Sequence, residues 1–377
     1  MKYMGSKRVM LLNGLGDTLE HELSNARRFV DLFAGSAAVA NHVAQTFNVP
    51  VLASDLQAYS VALANAVLTR KKELDGPTIW KSWLRSASKT LKRLRIPPTP
   101  SRLSKKSVSA QRDWCAKQIG MPITTAYGGH YFSARQAVLI DALRSTLPKG
   151  TNARRAALAS LIQAASYCAA SPGHTAQPFQ PTPTARKYLH EAWKRNLLRQ
   201  TKRNLITLSK MVALQKGSAK KIDANVVAKS LRKTDLVFID PPYSGVHYSR
   251  FYHVLETLAL GKSELVSGVG RYPSPKRRPH SQYSIQSGAQ IAFENLMKVI
   301  SSRGSRAIVT FPNHKCSNGL SGYAVQKIAA KHFRVKRKSV ASKFSSLGGT
   351  SDARGNQAGR DARRETRELI LVLTPHT

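Results

Sequence analysis

The sequence predicts an α/β protein: a doubly wound, mostly parallel sheet interrupted by a long, largely helical and basic insertion. Three observations carry this. Arg28–Phe33 (RFVDLF) reads as a buried strand, runs into Ala34-Gly35-Ser36, and is followed by a helix-period stretch and a second short strand. Apolar strand character then vanishes for well over a hundred residues and returns at Asp235–Ile239 (DLVFI), Arg306–Phe311 and Glu368–Leu373 (ELILVL). The intervening chain, roughly residues 76–230, carries helical periodicity and a heavy excess of Lys and Arg.

Taken in order, the amino-terminal MKYMGSKRVMLL has a very short apolar run and no small-residue cleavage site, so no secretory signal is expected. After the first strand, Ala37, Val39, Ala40, Val43, Ala44 and Phe47 recur at helical spacing, and the strand Val51–Ser54 ends on Asp55. This β–turn–α–β unit opens a parallel sheet. Helical patterns follow over Val61–Leu74 and Ile79–Leu94. A Pro/Ser/Lys-rich stretch from about Arg95 to Ser109 reads as an exposed linker, Ser171–Pro183 as a Pro-rich loop, and Arg186–Gln215 as one basic helix. The apolar stretch Ala156–Ala170, broken by Ser160, Gln163 and Ser166, is too short to span a membrane. The expected division is a core of residues 1–75 and 231–377 around a helical insertion of residues 76–230.

The chain has 377 residues, 42% of them hydrophobic, so it has the material for a packed core and is not disordered. Sixty Lys and Arg against twenty Asp and Glu give a net charge of +40. Self-repulsion of that size opposes compaction, and a polyanionic partner is its simplest use. The cations cluster: Arg85–Lys117 holds ten with one acid, Arg186–Lys233 fourteen with two, and Lys327–Lys338 six with none. Such stripes are the footprint of phosphate contacts. Cys115, Cys168 and Cys316 lie far apart without CxxC or paired His spacing, so neither a disulfide framework nor a zinc site is read, and a reducing, cytoplasmic setting is expected.

Asp240-Pro241-Pro242-Tyr243 follows the strand DLVFI directly, at the carboxyl end where doubly wound sheets hold ligands. Two prolines fix the backbone, so a carboxylate, neighbouring carbonyls and an aromatic face are presented rigidly. Those groups match a planar exocyclic amine, whose hydrogens are accepted in-plane while its ring is stacked. The chain lacks G-x-G-x-x-G and G-x-x-x-x-G-K-[ST], which disfavours a nicotinamide cofactor and an ATPase.

At these residues the chain resembles the D12-type adenine-specific DNA N6-methyltransferases, the alpha group in which the cofactor half comes first. Tyr3-Met4-Gly5-Ser6-Lys7 resembles the family's amino-terminal cofactor element, Asp31-Leu32-Phe33-Ala34-Gly35-Ser36 its D-L-F-x-G-S loop, Ser54-Asp55 the acidic end of its second strand, and Asp240-Pro241-Pro242-Tyr243 its catalytic motif. Ser345-Ser346-Leu347-Gly348-Gly349 and Glu368-Leu369-Ile370 resemble family endings. The resemblance implies a Rossmann-like methyltransferase sheet, S-adenosyl-L-methionine as cofactor, no metal, and double-stranded DNA as partner. It leaves the oligomeric state open between monomer and homodimer, and it implies a nucleoid-associated cytoplasmic enzyme.

Roles follow chemically. Asp55 is suited to the cofactor's ribose hydroxyls, Gly35 to close backbone approach at its methionine part, with Phe33 and Ser36 in the same loop. Asp31 can accept from the cofactor ammonium or fix the loop; by resemblance Tyr3 and Lys7 join the cofactor site, Lys7 at its carboxylate. Where the family places a second glycine this chain has Ala37, whose methyl requires a negative φ or more room. Asp240 and the Pro241 carbonyl would accept the two N6 hydrogens, aiming the nitrogen lone pair at the sulfonium methyl, and positioning would dominate over base strength. A duplex base must be flipped out to reach such a pocket, and Tyr243 is the residue to stack on it. His247–His253 either lines that pocket or packs Phe251, Leu255 and Leu258 into a core. A cytosine-N4 or RNA adenine methyltransferase, and a non-catalytic nucleic-acid-binding protein, are the competing readings. Asp240 argues against the first two, whose motifs more often begin with Ser or Asn, and four intact motifs argue against the third.

Overall fold

The structure, a computed structural model, describes residues 7–92, 94–345 and 363–376. The chain forms two compact units: a sheet unit of residues 7–56, Ala219–Tyr248 and His280 onward, and a helical unit of Gln57–Ser218 and Ser249–Pro279.

The sheet unit contains seven strands: β1 (Arg28–Asp31), β2 (Val51–Asp55), β3 (Ser218–Lys221), β4 (Asp235–Ile239), β5 (Arg306–Pro312), β6 (Phe333–Ser345) and β7 (Arg363–Pro375). Their order is β3-β2-β1-β4-β5-β7-β6. β1 runs parallel to β2 and β4, β4 parallel to β5, and β7 is antiparallel to both β5 and β6. This is the Rossmann-like, mostly parallel sheet that the buried apolar strands predict. The strand order reverses between β1 and β4, so Asp31 at the end of β1 and Asp240 just after β4 sit at the topological switch point. At the opposite ends Arg28 donates two hydrogen bonds to Asp235, at 3.0 and 2.6 Å, which pins the β1–β4 register. Val30, Val237, Ile239 and Val309 pack with Phe293, Leu296 and Ile300 of the helix Ala289–Ser302 in the core.

The units divide the chain differently from the expected 1–75, 76–230 and 231–377. Residues 219–230 belong to the sheet unit: β3 is an edge strand of sequence SAKK with no apolar run, and Ala224, Val227 and Leu231 behind it join the sheet core. The helix Ala58–Leu68 belongs to the helical unit, where buried Glu256 accepts from the Ala58 and Tyr59 amides at 3.0 and 3.1 Å and caps it. Glu256 sits in the helix His253–Leu260, whose Leu255 and Leu258, with Phe251 just before it, are buried in that unit. Phe251, Leu255 and Leu258 pack as the core-packing alternative expects.

Three local expectations change. The stretch read as a linker up to Ser109 becomes helical from Lys105, because Ser104 and Ser107 form a reciprocal cap and Val108, Gln111 and Cys115 are buried. The single basic helix over Arg186–Gln215 is two, Arg186–Lys194 and Leu197–Lys210, separated where Asn196 caps the second by accepting from the Arg199 amide at 2.9 Å. The stripe Lys327–Lys338 runs into β6, an edge strand with Arg334, Lys336, Arg337 and Lys338 exposed, where charge also blocks edge-to-edge pairing. No helix of the described residues is long and apolar enough to cross a membrane.

Candidate active site

The site grows from three chain turns at the carboxyl edge of the sheet unit. After β1, Ala34 N–H donates to the Ser54 carbonyl at 2.9 Å and Gly35 N–H to the Asp55 carboxylate at 2.9 Å. Asp55 thus ties the glycine turn to the end of β2 while staying half-buried. Gly35 has φ +51°, and Ala37, fully buried, has φ +58°. Of the two alternatives at Ala37 the negative φ is not realised: the turn imposes the glycine-like conformation, and the alanine adopts it at about 1–2 kcal/mol of backbone strain.

Asp31 ends β1 with 1% exposure, and its carboxylate accepts from the Phe33 amide at 3.2 Å, so the last two residues of the expected strand belong to the turn. Burial, then the Asp240 and Asp55 carboxylates, push the Asp31 carboxyl up to about 8.

Asp240 follows β4. Its Oδ1 accepts from Thr310 Oγ1 of β5 at 2.9 Å and lies 3.0 Å from the Lys7 ammonium. Lys7 is 4% exposed and also lies 3.5 Å from Glu368 of β7, an ion pair with both carboxylates without an aligned hydrogen bond. Burial alone would lower the Lys7 ammonium, but Asp240 and Glu368 more than compensate and hold it above its ordinary value. Burial raises the Asp240 carboxyl in spite of Lys7. Both contacts fall on Oδ1.

The rest of the motif is equally fixed. Asn318 donates to the Pro242 carbonyl at 2.9 Å, and Gly245 N–H donates to Ser317 Oγ at 3.0 Å. Tyr243 packs against the sheet core, its ring edge-on to Tyr248 at 6.4 Å, and burial pushes its phenol up to about 12. Phe33, in the glycine loop, meets Tyr283 edge-on at 5.0 Å.

The structure therefore brings Lys7, Asp31, Phe33, Gly35, Asp55, Asp240, Pro241, Pro242 and Tyr243 to one edge of one sheet, with Ser36 in the same turn. The Lys7 ammonium, expected by resemblance at a cofactor carboxylate, is paired here with Asp240 and Glu368. Tyr3 and residues 346–349 lie outside the described residues. His253 is buried, with Nδ1 3.1 Å from the Arg250 carbonyl, and burial pushes its imidazolium down to about 3, which suits neither a base nor a cation. Among the described residues no three His, Cys, Asp or Glu side chains gather closely enough to hold a metal. Sequence reasoning missed Thr310 and gave Glu368 no role. Each is the odd polar residue in an apolar strand (AIVTFP, ELILVL), and that oddity was the available signal.

A carboxylate on a Pro-Pro turn and a glycine turn tied to the acid at the end of β2 thus stand at the carboxyl edge of a Rossmann-like sheet. The chain belongs to the D12 class N6 adenine-specific DNA methyltransferase family, whose model matches residues 3–96 and 116–299. It is similar to the modification methylase StsI of Streptococcus sanguinis, 23% identical over 312 residues, covering 80% of this chain and 42% of that protein. It is also similar to the modification methylase LlaI of Lactococcus lactis subsp. lactis, 23% identical over 304 residues (80% and 44%), and to the type II methyltransferase M.FokI of Planomicrobium okeanokoites, 24% identical over 366 residues (91% and 51%). The chain spans about half the length of these curated relatives.

Proposed function

We propose that this protein transfers the methyl group of S-adenosyl-L-methionine to N6 of an adenine flipped out of duplex DNA, as the modification methylases it resembles suggest. The observation that carries this is Asp240: its Oδ1 is held by Thr310 and Lys7 on the rigid Pro-Pro turn, which leaves Oδ2 to accept from the amine.

The residues fit the cofactor. Asp31 is a buried carboxyl, pushed up to about 8, at the switch point beside a glycine turn, a position that an ammonium would stabilise in its ionised form. Asp55 offers its carboxylate at the end of β2, where ribose hydroxyls are bound in such folds. When bound, the cofactor supplies an electrophilic methyl on a sulfonium whose sulfide leaves readily. The chain's own residues do the rest. Asp240 Oδ2 and the Pro241 carbonyl accept the amine hydrogens, which draws the nitrogen lone pair out of ring conjugation and along the transfer axis. Tyr243 stacks the extruded base.

In the helical unit, a groove of about 540 Å³ is lined by the apolar Pro77, Trp80 and Leu84 together with Lys81, Arg85 and Lys202. No acid lines it. We assign DNA phosphates to this groove and to the neighbouring basic helices, and a cytoplasmic location alongside the DNA.

The test is to incubate purified protein with cofactor labelled in its methyl group and unmethylated genomic DNA, then digest to nucleosides. Label in N6-methyladenine supports the reading; label in N4-methylcytosine, or none in DNA, overturns it.

A further inference from the structure

We propose that Asn318 is a positioning residue that holds the base-binding loop and the glycine loop in one arrangement. The inference rests on the function just proposed, and it concerns a residue beyond the stretch matched by the family model, which ends at residue 299.

Asn318 is fully buried, at 0% exposure, in the loop between β5 and β6. A buried amide is costly unless its hydrogen bonds are made, and here they are made to particular places. Nδ2 donates to the Pro242 carbonyl at 2.9 Å and to the Tyr283 carbonyl at 3.0 Å, and Oδ1 accepts from the Leu320 amide at 3.2 Å. A single NH₂ group thus bridges the catalytic loop and the turn Gln282–Ser284. The Tyr283 ring stands edge-on against Phe33 of the glycine loop at 5.0 Å, while its hydroxyl donates to Asn225 Oδ1 at 2.6 Å. The chain of contacts runs from Pro242 through Asn318 and Tyr283 to Phe33. It connects the segment that receives the amine to the segment that receives the cofactor.

The neighbouring residue reinforces this. Ser317 Oγ accepts from the Gly245 amide at 3.0 Å, and a Cβ on Gly245 would come within 2.6 Å of the Ser317 carbonyl, so only glycine allows the approach. The loop after Tyr243 is therefore clasped at Pro242 and again at Gly245. With the Pro242 carbonyl committed to Asn318, the second amine hydrogen falls to the Pro241 carbonyl. An apolar side chain could fill the same volume, but it would leave two carbonyls facing each other without a donor between them.

Methyl transfer is sensitive to displacements of about 1 Å, which cost up to ~10²-fold in rate. Asn318→Ala removes the bridge, and single-turnover methylation should fall about 10- to 100-fold while calorimetric cofactor affinity stays within about twofold. Asn318→Asp keeps size and acceptor but loses both donors. It should be as slow as Asn318→Ala where its carboxyl is ionised and recover relative to the parent as pH falls, because the protonated carboxyl regains one donor. Hydrogen exchange by mass spectrometry supplies a readout independent of activity: in Asn318→Ala the amides of residues 243–245 should exchange faster while those of β4 keep their protection. Unchanged exchange in residues 243–245 overturns the inference whether or not the parent methylates DNA. A parent without activity on adenine counts against the proposed function alone. An active parent matched in rate by Asn318→Asp, or cofactor affinity falling in step with rate, also overturns the positioning role.

Discussion

The two units handle charge in opposite ways. In a chain of net charge +40, the carboxyl edge of the sheet gathers Asp31, Asp55 and Asp240, and pairs Asp240 and Glu368 with the buried Lys7 ammonium. In the helical unit, the groove between the helices Gly76–Leu91 and Leu197–Lys210 is lined by three cations and no acid. The contrast is one of range. Exposed cations act on a polyanion through counterion release, a cumulative effect that tolerates imprecise placement. On the proposed function the buried carboxylates act on one amine and one ammonium, within hydrogen-bond distance, where a low local dielectric makes placement decisive. Affinity for DNA and chemistry on a base can thus be built from different residues and altered separately.

The largest effect is expected at Asp240. Asp240→Ala removes the oriented acceptor, and single-turnover methyl transfer should fall by at least about 10²-fold, comparable to losing one preorganised transition-state hydrogen bond. Asp240→Asn retains one acceptor oxygen but not the charge: activity above that of Asp240→Ala favours orientation, and equal loss favours charge. Next is the groove. Replacing Lys81, Arg85 and Lys202 by Gln should flatten the dependence of log affinity on log salt by up to about 2.7, at about 0.9 per phosphate contact, measured with non-specific DNA. An unchanged slope would mean that the groove faces solvent.

A smaller effect concerns Asp31. Its carboxyl is raised to about 8 by burial and neighbouring carboxylates, so at neutral pH the ligand-free protein holds it largely protonated. A cofactor ammonium prefers the ionised form, so binding releases a proton. Affinity should therefore strengthen as pH rises from about 5.5 to about 7.5, approaching tenfold per unit, with the α-amino group still charged over most of that range. Asp31→Asn should bind weakly and without this pH dependence; calorimetry in buffers of different ionisation enthalpy measures both. The same shift makes the folded state bind more protons than the unfolded chain between the two carboxyl pKa values, so this group's contribution to stability declines as pH rises towards 8. The smallest effect is at Ala37. Ala37→Gly relieves about 1–2 kcal/mol of left-handed strain but loses about 0.8 kcal/mol of methyl burial and about 0.4–1 kcal/mol of chain restriction. Its unfolding midpoint should barely move, whereas Ala37→Val, β-branched at φ +58°, should be clearly destabilised.

Legibility in the sequence followed the same division of range. Gly35, Asp55 and Asp240-Pro241-Pro242-Tyr243 were readable because each lies where a local strand pattern stops. The contacts that lock them were not, because Lys7 and Thr310 reach Asp240, and Glu368 reaches Lys7, from distant parts of the chain, and the one local signal, a polar residue in an apolar strand, names no partner. Asn318 sits in a short polar loop with no periodicity at all. The unit boundaries were missed for a related reason. β3 is hydrophilic because it is an edge, and the helix Lys105–Ala116 is Ser- and Lys-rich because most of its surface is wet, so each resembled the basic linker around it.

The central claim is that base chemistry belongs to the sheet edge and DNA affinity to the cationic helices. The most direct measurement is a double-mutant cycle combining Asp240→Ala with the Lys81, Arg85 and Lys202 replacements, reading DNA affinity and single-turnover rate at saturating DNA. Residues that share no partners should combine additively. Asp240→Ala should lower only the rate, the triple replacement only the affinity, and the combination should show both losses undiminished. If Asp240→Ala weakens DNA binding as much as the triple replacement does, or the triple replacement lowers the rate at saturating DNA, the separation is contradicted.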